Sequence, residues 1–372
     1  MSPSIFENLF VLELANNHWG KLSRGLIIVS DFASVVRFND VHAAIKLQFR
    51  DVDSFVHKDF RDRADIRYVK KTLDTHLRWE ELRRLVEAVR EAGMVTMVTP
   101  FDEVSVDKCV EFGVEILKIA SSDIRDKTLL AKIASASLPV IASCGGADLN
   151  HIDDLVDYFT SRGIPFALNH CVSLYPSEDS DLELNQIDFL KARYPHIPIG
   201  LSTHECRDWN DSILIAYGKG ARTFERHIDI DYEGVPVSSY CTRPEQADIW
   251  FRAFKKAQEM SGGATKARRE VPEGERRYLD ALVRGVYAKH DLAAGAVLTH
   301  DNVYFAVPLQ KGQISTREFV GDERLEQSMA KDTPVTINAI HAKVAKDRRM
   351  VAMILDRGLD PVIDAVPIRA AV

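Results

Sequence analysis

Two lysines lie inside apolar runs of this chain, Lys46 in AAIKLQF (43–49) and Lys118 in VEILKIAS (114–121). An ammonium group is costly to bury unless it meets an anion. That anion is either a bound phosphate or carboxylate, or a carboxylate of the chain itself such as Glu13 or Glu225. Hydroxyls recur at the ends of neighbouring apolar runs, at Thr99, Ser121, Ser143, Ser173 and Ser202, and would add uncharged donors to the same oxygens. Two ammoniums with a ring of hydroxyls point to an anionic ligand. His204 and His227 end two successive runs. Adjacent strands of a sheet lie about 5 Å apart, so two such imidazoles can share one divalent ion. A strand-end histidine held only by hydrogen bonds is the other reading of that spacing. Two protein ligands leave open positions, which suits a Lewis acid holding water and a substrate oxygen more than a closed structural zinc. Asn17, Gln48 and His170 complete the polar set at the ends of the runs.

These residues share one position because of the elements that carry them. Short runs rich in Val, Ile, Thr and Phe recur at 10–15, 43–49, 94–100, 114–121, 138–144, 165–171, 197–203 and 223–228. Each is followed by a stretch whose apolar residues have helical spacing, and that alternation marks repeated βα units. The fold class expected is therefore α/β, and eight strands is the number that closes a (β/α)8 TIM barrel. In such barrels the reactive groups sit at the C-terminal ends of the strands, where the polar residues above fall. An open doubly wound sheet would announce itself with a Gly-rich turn after the first strand, and NNHWGK is not one. Among the helices, WEELRRLVEAVREAG ends on Gly93, and DLNHIDDLVDYFTSRG has Asp148 or Asn150 as its cap and Gly163 as its stop.

The barrel is expected over 1–262. The polar, charged segment 263–280 reads as a linker, 281–341 as a small β-rich module broken by Gly and Pro, and 342–372 as a tail, helical from about 341 through Leu355. With 372 residues and 46% hydrophobic positions, the chain can bury a large core. Its net charge of −7 gives no field to gather polyanions, which argues against nucleic acid as a partner. No stretch approaches the roughly 18 apolar residues of a spanning helix, and MSPSIFENLF does not begin like a secretory signal, so a cytoplasmic location with no membrane partner is expected. Five scattered cysteines, odd in number and without a CxxC pair, read as reduced thiols.

In this order the motifs resemble the sialic acid synthase (N-acetylneuraminate synthase) family. ELANNHWG is similar to that family's EIG-x-NH-x-G segment, AIKLQF to VKFQ, VTPFD to STPF, LKIASSD to KI-x-S, NHCVSLYP to LHC-x-x-x-YP, IGLSTHE to GLSDHT and FERHIDID to EKHFTLD. DLAAGAVLTHDNV resembles the core of the family's C-terminal antifreeze-like (SAF) domain. The resemblance implies a metal-dependent condensation of phosphoenolpyruvate with an N-acetylmannosamine-type aldose, giving a 3-deoxy-2-keto acid and phosphate. The divalent cation implied is manganese, with magnesium or cobalt as alternatives. It also implies a domain-swapped homodimer in which the small domain covers the partner's barrel mouth.

Matched residue by residue, Lys46, Thr99, Lys118, Ser121, Ser143, Ser173 and Ser202 take the phosphoenolpyruvate contacts, and His204 and His227 the metal. Asn17, Trp19, Gln48, His170 and Tyr175 join the substrate-binding set, and Lys46, Lys118, His204 and His227 are the catalytic candidates. Ser173 stands where Asn is usual. The other departures fall at Trp19, often an acid or amide, at Thr203 in place of Asp, at Val307 in place of an Arg before Pro308, and at ASCGG in place of STGM. They predict a retained phosphoenolpyruvate half and an altered acceptor half. The acceptor expected is a modified hexose or another aldehyde, with Trp19 as a stacking or apolar wall. A non-catalytic paralogue binding a phosphorylated or glycan ligand is the alternative.

Overall fold

The computed structural model describes residues 4–263 and 267–359. Contacts divide the chain into two compact units at Gly263/Ala264. In the first, eight parallel strands close in sequence order into a barrel: β1 Leu9–Ala15, β2 Ala43–Phe49, β3 Val95–Pro100, β4 Ile116–Ile119, β5 Val140–Ser143, β6 Phe166–Cys171, β7 Ile199–Thr203 and β8 Thr223–His227. All eight lie within the runs read from the sequence, apart from Leu9, one residue ahead of the first run.

The period of two along each strand makes the two faces of the barrel wall. On β1, Phe10, Leu12 and Leu14 join the large core beneath the outer helices, whereas Leu9 and Val11 join a separate interior cluster with Ala44, Met97, Ile116, Ile141 and Ala167. The inward phase continues upward to polar residues. Ala44 leads to Lys46 and Gln48, Met97 to Thr99, Ile116 to Lys118, Ile141 to Ser143, and Val11 to Glu13. The interior is therefore apolar at the bottom and ionic at the top. The β8/β1 seam is closed from outside by the helix Pro244–Ser261, whose Trp250, Phe251 and Phe254 meet Phe10 edge-on at 4.7, 4.8 and 5.0 Å.

Gly200 on β7 marks the tightest part of the interior. A Cβ there would lie 1.8 Å from Thr223 Oγ1 and 2.3 Å from Asn169 Oδ1, groups already joined at 2.5 Å. Gly200→Ala is expected to destabilise the barrel by about 1–3 kcal/mol through overpacking. Differential scanning calorimetry checks this, and an unchanged Tm would mean that the layer has slack.

The helix Trp79–Glu91 buries Leu82, Leu85, Val86 and Val89 on one face, as the spacing predicts, with Gly93 beyond it at φ +78°. The helix Leu149–Thr160 does start after Asp148, but the Asp148 side chain makes no capping bond.

The second unit is β-rich. β9 Gly285–Ala288 pairs antiparallel with β10 Val303–Ala306, and β11 Arg324–Leu325 with β12 Ile340–His341, around Val286, Leu298, Ile314 and Val335. Two expectations shift here. The stretch read as linker contains a helix, Glu273–Ala281, because Glu273 pairs with both Arg276 (2.8 Å) and Arg277 (3.0 Å) at helical spacing. The terminal helix begins at Arg348 and not near 341, since Ile340–His341 is committed to a strand, and it runs to Asp356. The tail beyond 359 lies outside the described residues. No helix among the described residues is long and apolar enough to cross a membrane. The five cysteines are unbonded, and all but Cys206 are buried.

Candidate active site

The inward polar residues surround a cavity of about 430 Å³ at the C-terminal end of the barrel. Lys46, Gln48, Thr99, Lys118, Ser121, Ser143, Ser173, Tyr175, Ser202, His204 and His227 all line it, as do Glu13, Glu225, Phe101, Ser122, Gly145 and Cys171. Eleven of the sequence-derived candidates thus converge on one space.

Both lysines are paired with carboxylates of the chain. Glu225 receives Lys46 Nζ at 2.7 Å, Lys118 Nζ at 2.8 Å and the Ser202 hydroxyl at 3.1 Å, and Lys46 also meets Glu13. The two internal carboxylates named from the sequence, Glu13 and Glu225, are thus the lysines' partners within the chain. Register explains this, since Glu13 is directly beside Lys46 on β2 and beside His227 on β8, while Ser202 is beside Glu225. Burial alone would push the Glu225 carboxyl up, but the two ammoniums outweigh it and hold it well below the usual carboxylate range. Each ammonium carries three N–H donors. Lys118 commits one and keeps two for a ligand; burial lowers Lys46 to about 7, and its ammonium form, with two donors committed, keeps one.

Ser121, Ser143 and Gly145 form a small cradle in the same lining. The Gly145 backbone N–H donates to Ser121 Oγ at 3.1 Å, and Ser143 Oγ is buried with no partner among the described residues. An unpaired buried hydroxyl is a cost that a ligand oxygen would remove. Gly145 makes the space, because a Cβ there would lie 2.3 Å from Ser173 Oγ and 3.0 Å from Ser121 Oγ.

The two imidazoles also line the cavity, with ring centroids 5.4 Å apart. His204 Nδ1 lies 2.9 Å from the Val172 carbonyl, which can only accept, so this nitrogen carries the proton and Nε2 keeps its lone pair. Burial lowers His204 to about 4, against an upward push from that carbonyl, and lowers His227 well below the usual range, with His204 adding to the effect. Both are therefore neutral at pH 7. Among the described residues no third His, Cys, Asp or Glu completes a metal-holding group with them.

Three candidates do not reach the cavity lining. His170 is on the outward phase of β6 and its Nε2 meets the Leu182 carbonyl at 2.7 Å, pinning the segment that carries Ser173 and Tyr175. Asn17 donates to the Ile228 carbonyl at 2.8 Å and ties the end of β1 to the loop after β8. Trp19 sits at φ +50°, 40% exposed, outside the lining, so the stacking wall expected of it is not formed there. Thr203 also points away, since it follows inward-facing Ser202. It bonds Glu205, which pairs with Arg226 at 2.7 Å and with Ser212 in a buried network behind the wall. Val307 belongs to the second unit and is exposed. Sequence reasoning passed over Phe101, Gly145 and Ser122, although Gly145 lies within the ASCGG segment already noted as divergent.

Comparison with known proteins agrees with this fold. Residues 39–266 match the NeuB family and residues 283–340 the SAF domain. A solved structure from Chromobacterium violaceum, assigned as spore coat polysaccharide biosynthesis protein E, is 36% identical with a TM-score of 0.83, covering 90% of this chain and 100% of that one. The N-acetylneuraminic acid (sialic acid) synthetase of Leptospira borgpetersenii is 28% identical with a TM-score of 0.62, over 73% of this chain and 89% of that one. The N,N'-diacetyllegionaminic acid synthase of Campylobacter jejuni is 24% identical over 86% of this chain and 99% of its own length. With its closed barrel, its strand-end cavity and its β-rich second unit, the chain belongs to the NeuB family and is an enzyme of the acid-synthase type.

Proposed function

We propose that this enzyme condenses phosphoenolpyruvate with a sugar-type aldehyde to give a 3-deoxy-2-keto acid and phosphate. The observation that carries this reading is one cavity lined together by two lysines, the hydroxyls of Ser121, Ser143 and Ser173, and two imidazoles. The names of relatives, sialic and legionaminic acid synthases, support the same reaction class.

The chain's own groups divide the work. The free N–H donors of Lys46 and Lys118 bind the anionic reactant, with Ser121, Ser143 and Ser173 taking further oxygens. Glu13 and Glu225 hold the two ammoniums in place and stop them from following the leaving phosphate out. His204 and His227 fit a divalent cation. His204 has its Nε2 lone pair left open by the Nδ1 contact to Val172, and the two rings lie 5.4 Å apart, so the pair would hold such an ion with further positions open. Such an ion supplies Lewis acidity to the acceptor's aldehyde oxygen.

Phosphate release from phosphoenolpyruvate, with manganese and a panel of N-acetylhexosamines, modified hexoses and simple aldoses, tests the reading. Release with one acceptor and a new keto acid by mass is expected. Absence of release with every acceptor, when phosphoenolpyruvate is bound, would sink it. His204→Ala and His227→Ala are each expected to abolish manganese binding read by electron paramagnetic resonance, and to lower turnover at least about 100-fold.

A further inference from the structure

Gln48 lines the active-site cavity, and it also borders a second, smaller cavity of about 20 Å³ that Arg50 lines as well. An amide between two cavities can present either its oxygen or its NH2 group to each, and the two ends have opposite chemistry. Arg50 fixes which end goes where. Its Nη1 and Nη2 both donate to Gln48 Oε1, each at 3.1 Å, and Gln48 Nε2 donates to Glu13 Oε1 at 3.4 Å. A guanidinium only donates, and the Glu13 carboxylate, paired with Lys46, accepts, so both neighbours dictate the same orientation. Oε1 is turned to Arg50 and Nε2 to Glu13, a residue of the active-site lining.

Arg50 is itself held in place. Its guanidinium carbon stands 3.7 Å from the ring centroid of Phe101 and 5.6 Å from that of Phe55. Among the described residues all its side-chain hydrogen bonds go to Gln48, and its Nε is buried without a partner. Asp102, the carboxylate that follows Phe101, is committed instead to the backbone N–H groups of Asp51 and Ser105. What the half-buried guanidinium does in the fold is therefore to grip one amide oxygen from two nitrogens.

We propose that Arg50 is a positioning residue that locks Gln48 as a hydrogen-bond donor for the anionic reactant. This deepens, and rests on, the synthase reading above. Gln48 stands two residues beyond Lys46 on β2 and beside Thr99 on β3, and all three line the cavity. An anionic oxygen bound among them gains from an amide N–H and is repelled by a carbonyl oxygen in the same place. Lys46 meets two carboxylates already, so a neighbouring donor of fixed direction matters to the same ligand. Arg50 acts on that ligand through the amide.

The test is a double-mutant cycle in the full chain with magnesium. Phosphoenolpyruvate and inorganic phosphate affinities are measured by calorimetry for the parent, Arg50→Met, Gln48→Met and the double variant. Methionine keeps an unbranched stem at both positions and removes the polar end. Arg50→Met is expected to weaken phosphoenolpyruvate roughly threefold to tenfold, and Gln48→Met by at least as much. Because Arg50 works through Gln48, the double variant should bind no more weakly than Gln48→Met. A merely structural residue, or one that attracts the anion by charge alone, would add its own loss in the Gln48→Met background, and that result overturns the proposal. Parent-like affinity in Arg50→Met overturns it too. Arg50→Lys takes its place if Arg50→Met does not fold. The single ammonium keeps the charge without the two-pronged grip, so a loss that vanishes in the Gln48→Met background is again expected, and full affinity assigns the effect to charge and ends the proposal. A parent that binds inorganic phosphate but not phosphoenolpyruvate, with a coupled cycle for phosphate, sinks the synthase reading and leaves Arg50 its role. Turnover of phosphoenolpyruvate with an additive cycle does the opposite, and a parent that binds neither anion removes both.

Discussion

Glu225→Gln is expected to destabilise the barrel by about 3–5 kcal/mol, the usual cost of removing one partner from a buried ion pair. The carboxamide has nearly the shape of the carboxylate, so the loss comes from charge and not from packing. Glu225 serves Lys46, Lys118 and Ser202 at once, and it is 5% exposed. Without its charge Lys118, itself 2% exposed, keeps no carboxylate among its described ion pairs, and Lys46 keeps only Glu13. Urea unfolding checks the effect as a lower midpoint with unchanged slope. An anionic ligand should reverse part of the loss by taking the vacated ammonium donors, so inorganic phosphate or phosphoenolpyruvate should raise the midpoint more in Glu225→Gln than in the parent. A variant as stable as the parent would mean that the lysines find other partners and that the ion pairs through Glu225 do not hold the site.

Gly145→Ala should do the reverse, sparing the fold and harming the ligand. Gly145 is not among the residues at positive φ, so alanine meets no backbone penalty there, and it slightly lowers the freedom of the unfolded chain. Its Cβ, however, would stand 2.3 Å from Ser173 Oγ, 3.0 Å from Ser121 Oγ and 3.2 Å from the Cys171 carbonyl. The exposed Ser173 must turn away, and the cradle loses both a donor and its depth. Phosphoenolpyruvate affinity by calorimetry is expected to fall roughly tenfold to a hundredfold, equivalent to about 1.4–2.8 kcal/mol. A parent-like Tm with that loss would separate the cradle's binding role from stability. Unchanged affinity would place the anion elsewhere in the cavity.

By itself the sequence determined the barrel and the level at which its chemistry sits. Strand order, helix spacing and the polar residues at strand ends are local signals, because a period of two or 3.6 is written in neighbouring residues. Hence Lys46, Lys118, Ser143, Ser202 and His227 were legible as a shared ring before any contact was known. The tertiary structure alone decided how that ring is wired. Lys46 and Glu225 are 179 residues apart and Lys118 and Glu225 are 107, and only the stagger at which the barrel closes puts them in one layer. The same closure sets the phase of each strand, which turns Ser202 inward and Thr203 outward, and Cys171 inward and His170 outward, although each pair is adjacent in the chain. Loops carry no period at all. Trp19, read as a wall of the site, therefore lies outside it, while Arg50, which no spacing distinguishes, is stacked on Phe101 by a contact that exists only in the folded chain.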